Sequence, residues 1–66
     1  MSEKRTIRDF IRIMVVEDEE YLRDVICDAI EHLGIRHVHQ AADGQEALTK
    51  SDQIHPDLMF CDVQME

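Results

Sequence analysis

The sequence predicts an α/β fold, a doubly wound parallel sheet with the element order βαβαβ. Three observations carry this. Ile11-Arg12-Ile13-Met14-Val15-Val16 and Leu58-Met59-Phe60-Cys61 are short, nearly unbroken apolar runs, as expected of strands covered on both faces. Between them the apolar spacing switches from that of a strand to that of a helix. Each run ends in carboxylates, Glu17-Asp18-Glu19-Glu20 after the first and Asp62 after the second.

The elements follow in order. Residues 1–10 read as a short polar lead-in and residues 11–66 as the folded unit. From Tyr21, the residues Leu22, Val25, Ile26, Ala29, Ile30 and Leu33 recur at i, i+3, i+4, i+7, i+8 and i+11, one stripe of an amphipathic helix. Asp18, Glu19 and Glu20 sit where the helix dipole favours negative charge, and Gly34 follows as a helix-ending glycine should. Ile35 to Ala41 alternates weakly and predicts a short strand near a sheet edge. Gln45 to about Gln53 predicts a second helix, with Asp43 as its N-cap and Ala47, Leu48 and Ser51 facing inward. His55-Pro56-Asp57 stops it, because proline disfavours helix in the residue before it. Leu58 to Val63 predicts the third strand. Helices between strands imply parallel pairing with right-handed crossovers. The first and third strands are then neighbours in a flavodoxin-like order, with a ligand crevice at their carboxyl ends. Asp18 and Asp62 are the residues there. Acidic oxygens gathered at such a crevice suit a hard divalent cation.

Composition narrows the function. Hydrophobic residues make up 44% and charged residues 33% of the 66, an ordinary globular balance. The net charge of −8 is uneven: residues 1–16 sum to +2 and residues 17–66 to −10. Without a cationic stripe to neutralise phosphates, this segment is not expected to bind nucleic acid. No apolar run approaches membrane-spanning length and the first ten residues lack an apolar signal core, so a cytoplasmic chain without membrane contact is expected. Cys27, on the apolar helix face, and Cys61, inside an apolar strand, read as small buried hydrophobes.

Three segments stand in one order and spacing: Ile13 to Glu19, Ala42-Asp43-Gly44-Gln45-Glu46-Ala47-Leu48, and Pro56 to Met65. Together they resemble a response regulator receiver domain, the phosphoacceptor module of bacterial two-component signalling. The resemblance covers nearly all of residues 11–66. It implies that Asp62 accepts a phosphoryl group from a phosphohistidine on a sensor histidine kinase or phosphotransfer protein. It further implies that Asp18 binds Mg²⁺ directly together with Asp62. Glu17 would assist through a water, and the backbone carbonyl of Gln64 would add an oxygen. Gln64, two residues past the acceptor, would also face the phosphoryl group. Glu17 stands where many members have Asp, and Glu66 where proline is usual. The family's fourth and fifth strands would follow residue 66. So would its hydroxyl and lysine switch residues, which no residue here can be assigned. Such a half-domain exposes an apolar third strand, and either self-association through that strand or poor folding is expected.

Plainer readings stand beside these. Glu19 and Glu20 are a solvated helix start. Lys50 reads as a surface charge, and His55 as a turn residue. His32 complements a helix C-terminus. His37 and His39 share one strand face without a third metal ligand. Two other functions compete with the phosphoacceptor. One is a receiver-shaped interaction module that is not phosphorylated. The other is an aspartate-nucleophile hydrolase, disfavoured because Gln64 occupies the position where a second Asp is usual. A self-phosphorylating acceptor at most is expected, rather than a turnover enzyme.

Overall fold

The computed structural model describes residues 6–61. Its elements are α1 (Ile7–Phe10), β1 (Arg12–Val16), α2 (Glu20–His32), β2 (His37–Ala41), α3 (Gly44–Ile54) and β3 (Leu58–Cys61). The strands form one sheet in the order β2-β1-β3, and both pairings are parallel. The predicted βαβαβ order and the neighbouring first and third strands are therefore observed. This is the truncated doubly wound arrangement, with β2 at an edge as expected. Of the predicted third strand, Asp62 and Val63 lie outside the described residues.

β1 is central because its side chains are apolar on both faces. Ile13, Met14, Val15 and Val16 are all buried. Strand alternation sends Ile13 and Val15 to one side, where they pack with Cys27 of α2 and with Ile26, Ile30, Ile35 and Val38. Met14 and Val16 face the other side and pack with Ala41, with Ala47 of α3, and with Ile54. The two helices thus cover opposite faces of the same strand. Met14 is fully buried, and truncating such a side chain to alanine costs about 2–5 kcal/mol.

Local chemistry sets the element ends. The Asp43 carboxylate accepts the Glu46 backbone N–H at 2.8 Å and caps α3 as predicted. Past the end of α2, Gly34 takes a φ of +92°, and its N–H donates to the Glu31 carbonyl at 2.9 Å. α3 ends at His55, which adopts left-handed backbone (φ 57°) immediately before Pro56. A side chain in that conformation costs about 1–2 kcal/mol, and the cost is offset by the turn that aims the chain into β3. Asp57 then makes two bonds to Arg12. Its N–H donates to the Arg12 carbonyl at 2.8 Å, and its carboxylate accepts the Arg12 N–H at 2.9 Å. This clamp sets the β1–β3 register Ile13↔Leu58 through Val16↔Cys61.

Several expectations change. Within the polar lead-in, residues 7–10 form one helical turn. It is started by the Thr6 N–H donating to the Asp9 carboxylate at 3.1 Å. It is anchored by Arg8, whose guanidinium donates to the Leu33 carbonyl at 3.2 Å at the end of α2. Four residues are too few to show a helical period, so sequence spacing passed over them. On α3, Ala47 is buried and Ser51 half-buried, but Leu48 is 66% exposed. Ala47, Ser51 and Ile54 follow the i, i+4, i+7 line to the sheet, and Leu48 lies about 100° round the helix from Ala47. On α2, Ile26, Cys27 and Ile30 pack inward while Leu22, Val25 and Leu33 are exposed. The apolar stripe is wider than the surface it covers.

The third strand is exposed and apolar, as expected of a half-domain. Leu58, Met59, Phe60 and Cys61 are all exposed, so Cys61 is not the buried hydrophobe its setting suggested. Among the described residues β3 pairs only with β1, which leaves its other backbone edge open beside apolar side chains. Sedimentation of this chain should show species above monomer mass, and Phe60→Lys should shift it toward monomer. A compact wild-type monomer would contradict the open edge.

Candidate functional site

The site begins where β1 runs out. The Glu17 N–H still donates to the Ala41 carbonyl of β2 at 3.0 Å, so the sheet's bonding extends one residue past Val16. Glu17 is only 2% exposed, and its Oε2 accepts the Glu19 N–H at 3.1 Å. Asp18, the next residue, is exposed. An ionisable side chain buried directly before an exposed one marks a loop held from below and open above. The parallel register brings Val16 beside Cys61, so β1 and β3 end at the same rim. Asp62 and Gln64, the other two predicted site residues, lie outside the described residues. Glu17 and Asp18 are thus side by side at the C-terminal rim of the sheet.

Sequence reasoning missed the residues that hold this rim. Arg23, in the first turn of α2, donates from Nη1 to the Glu17 carbonyl at 2.8 Å and from Nε to the Gln40 side-chain oxygen at 3.0 Å. Lys50 donates to the Gln40 backbone carbonyl at 2.6 Å and pairs with Glu46 at 3.0 Å, so it is not the freely solvated charge expected. Glu46 Oε1 accepts the Ala42 N–H at 2.8 Å. These bonds link the β1–α2 loop, β2 and α3 into one polar chain. The available signal was a basic residue at position 23 on the packed face, beside Ile26, Cys27 and Ile30.

Electrostatics follow from these contacts. The Ala42 N–H and then the Lys50 ammonium hold the Glu46 carboxyl below the usual glutamate range. Burial pushes the Cys27 thiol up, with Glu31 and Asp24 adding to the shift, which suits an unreactive core residue. His32 is raised by its bond to the Asp28 carbonyl and by the Asp28 carboxylate, in keeping with a helix-terminal role. Among the described residues no group of three or more His, Cys, Asp or Glu converges to hold an ion.

Comparison with known proteins places the fold that carries this rim in a family. The family model for the response regulator receiver domain matches residues 13–66. The chain belongs to the response regulator receiver family. Relatives agree. A protein-glutamate methylesterase/protein-glutamine glutaminase of Haloarcula marismortui is 39% identical over 57 residues, covering 86% of this chain and 15% of that protein. The transcriptional regulatory protein PdtaR of Mycobacterium tuberculosis is 35% identical over 54 residues, covering 82% and 26%. Response regulator GacA of Pseudomonas viridiflava is 36% identical over 56 residues, covering 83% and 26%. The chain therefore spans about a sixth to a quarter of the length of these relatives, and the likeness concerns their receiver segment. No solved structure matches. Among the described residues, no helix of this receiver segment is long and apolar enough to cross a membrane.

The Glu46 contacts give this receiver rim a pH signature. Its folded value is depressed, so the stability it adds is complete above the ordinary glutamate range and is lost as pH falls through the folded value. Chemical denaturation across the acid range should show a shallower loss of stability for Glu46→Gln than for wild type. Identical slopes would mean that the Ala42 and Lys50 contacts do not persist in solution.

Proposed function

We propose that this receiver segment is the phosphoacceptor of a two-component switch. In this reading Asp62 takes a phosphoryl group from a phosphohistidine on a sensor histidine kinase or phosphotransfer protein. The observation that supports it is the parallel Val16↔Cys61 pair, because Glu17-Asp18 and Asp62 are the next residues in sequence after the two strands. A carboxylate oxygen of Asp62 forms the new bond to phosphorus as the donor's P–N bond breaks, and the departing imidazole keeps the electron pair. Both reactants are anionic, so their approach is opposed by charge. A bound Mg²⁺ supplies the neutralisation that this step needs.

The donor set suits that ion. Mg²⁺ prefers a few oxygen ligands with several waters kept. The exposed Asp18 carboxylate would bind it, with Asp62 and the Gln64 backbone carbonyl, and the buried Glu17 would act through a water. Glu17 and Asp18 stand at one rim of the sheet, and Asp62 follows in sequence the strand that ends beside Val16. The methylesterase/glutaminase name of some relatives belongs to proteins about six times longer, and no turnover activity is proposed for this segment. A cytoplasmic setting and self-association through β3 complete the reading. No nucleic-acid contact is proposed.

Incubation with Mg²⁺ and acetyl phosphate should add one phosphoryl group by mass, and Asp62→Asn should abolish the addition. Asp18→Asn should weaken Mg²⁺ binding by at least about tenfold, since removing one charged ligand from so sparse a set leaves little behind. Retention of phosphorylation by Asp62→Asn would refute the assignment. Partner binding that is indifferent both to Asp62→Asn and to Mg²⁺ would favour an unphosphorylated interaction module instead.

A further inference from the structure

We infer that Arg23 is a positioning residue that orients Asp18 for cation binding, and that Gln40 is its anchor on β2. This rests on the reading of the β1–β3 rim as a Mg²⁺ site.

The argument starts from an anomaly of placement. Arg23 lies on the packed line of α2 with Ile26, Cys27 and Ile30, where an apolar side chain is the ordinary choice. Helical side chains lean toward the helix N-terminus, so an arginine in the first turn can reach back to the loop before it. It does so, donating to the Glu17 carbonyl at 2.8 Å and to the Gln40 side chain at 3.0 Å. Both acceptors are neutral, although residues 17–66 contain thirteen acidic side chains. Among the described residues the guanidinium makes no salt bridge, and its planar fork suits two fixed acceptors at once.

The bond to Glu17 has a specific reach. The Glu17 carbonyl belongs to the planar peptide unit that ends at the Asp18 Cα. Fixing that oxygen therefore fixes the direction in which the chain enters Asp18. The preceding peptide unit is fixed by the Glu17 N–H on the Ala41 carbonyl, at 3.0 Å. Beyond Asp18, the Glu19 N–H is held by Glu17 Oε2 at 3.1 Å. Asp18 is thus bracketed on both sides while its own side chain stays exposed. The second half of the anchor is equally secured, because Lys50 holds the backbone carbonyl of Gln40 at 2.6 Å.

Charge and position predict opposite signs. A nearby cationic guanidinium disfavours a second cation, so through its field alone Arg23→Gln would tighten Mg²⁺ binding. As a positioning residue its loss should loosen binding, and partners of this kind are worth about 10–100-fold in metal affinity. The test is Mg²⁺ titration of the full chain followed by calorimetry, with chemical denaturation of each variant in parallel. Arg23→Gln should bind Mg²⁺ at least about tenfold more weakly. Arg23→Lys, which keeps the charge but reaches only one acceptor, should recover part of the loss. Gln40→Leu should weaken binding in the same direction. In the metal-free protein, the Glu19 amide should exchange its hydrogen faster in Arg23→Gln than in wild type. Unchanged or tighter Mg²⁺ binding by Arg23→Gln overturns the inference, and if wild type still loses its binding through Asp18→Asn, the cation site itself stands. Should Arg23→Gln fail to fold, unchanged affinity in Gln40→Leu overturns it instead. A wild-type chain that binds no Mg²⁺ overturns both.

Discussion

The structure depends on β1 being buried on both faces. Four consecutive residues, Ile13 to Val16, are removed from water, and their alternation distributes them between two separate clusters. A strand with two apolar faces needs a helix on each side and a partner strand along each edge. α2, α3, β2 and β3 meet those four demands in turn. The parallel sense of the sheet follows from it, because a helix that covers a face also returns the chain to the end of the sheet at which the preceding strand began. One rim therefore collects the residues that follow the strands, and the rim's chemistry is a consequence of β1's hydrophobicity.

That rim is acidic by composition and ordered by a small number of cationic groups. Arg23 and Lys50 are two of only three basic residues between positions 17 and 66, and both are spent on backbone or side-chain oxygens of the rim. The carboxylates divide by burial. Glu17 is turned inward and fixed, and Asp18 is turned outward.

What was legible in the sequence was whatever repeats locally. The three strands, the helix beginning after Glu19, the Asp43 cap and the Gly34 termination all follow from periods or end signals within a dozen residues. The family was legible from three spaced segments. Less legible were contacts made across long stretches of chain. Arg12 and Asp57 are 45 residues apart, and Arg23 and Gln40 are 17 apart. Nothing in the neighbourhood of either pair announces its partner. Leu48 and Cys61 were misjudged for another reason: local apolarity says that a residue would be buried if covered, and cover depends on how far the sheet extends. At the rim, the positions of Glu17 and Asp18 followed from the strand end, and the groups that hold them did not.

The Asp57 clamp fixes where counting begins. It ties β3 to β1 at the rim opposite the acids, and from there both strands run four residues to Val16 and Cys61, about 13 Å at strand rise. Side chains at 58–61 can therefore vary in identity at little cost to alignment, whereas a single inserted or deleted residue shifts the far end by about 3.3 Å and turns every later side chain to the opposite face. The alignment of the far rim is thus far more sensitive to the length of β3 than to its composition.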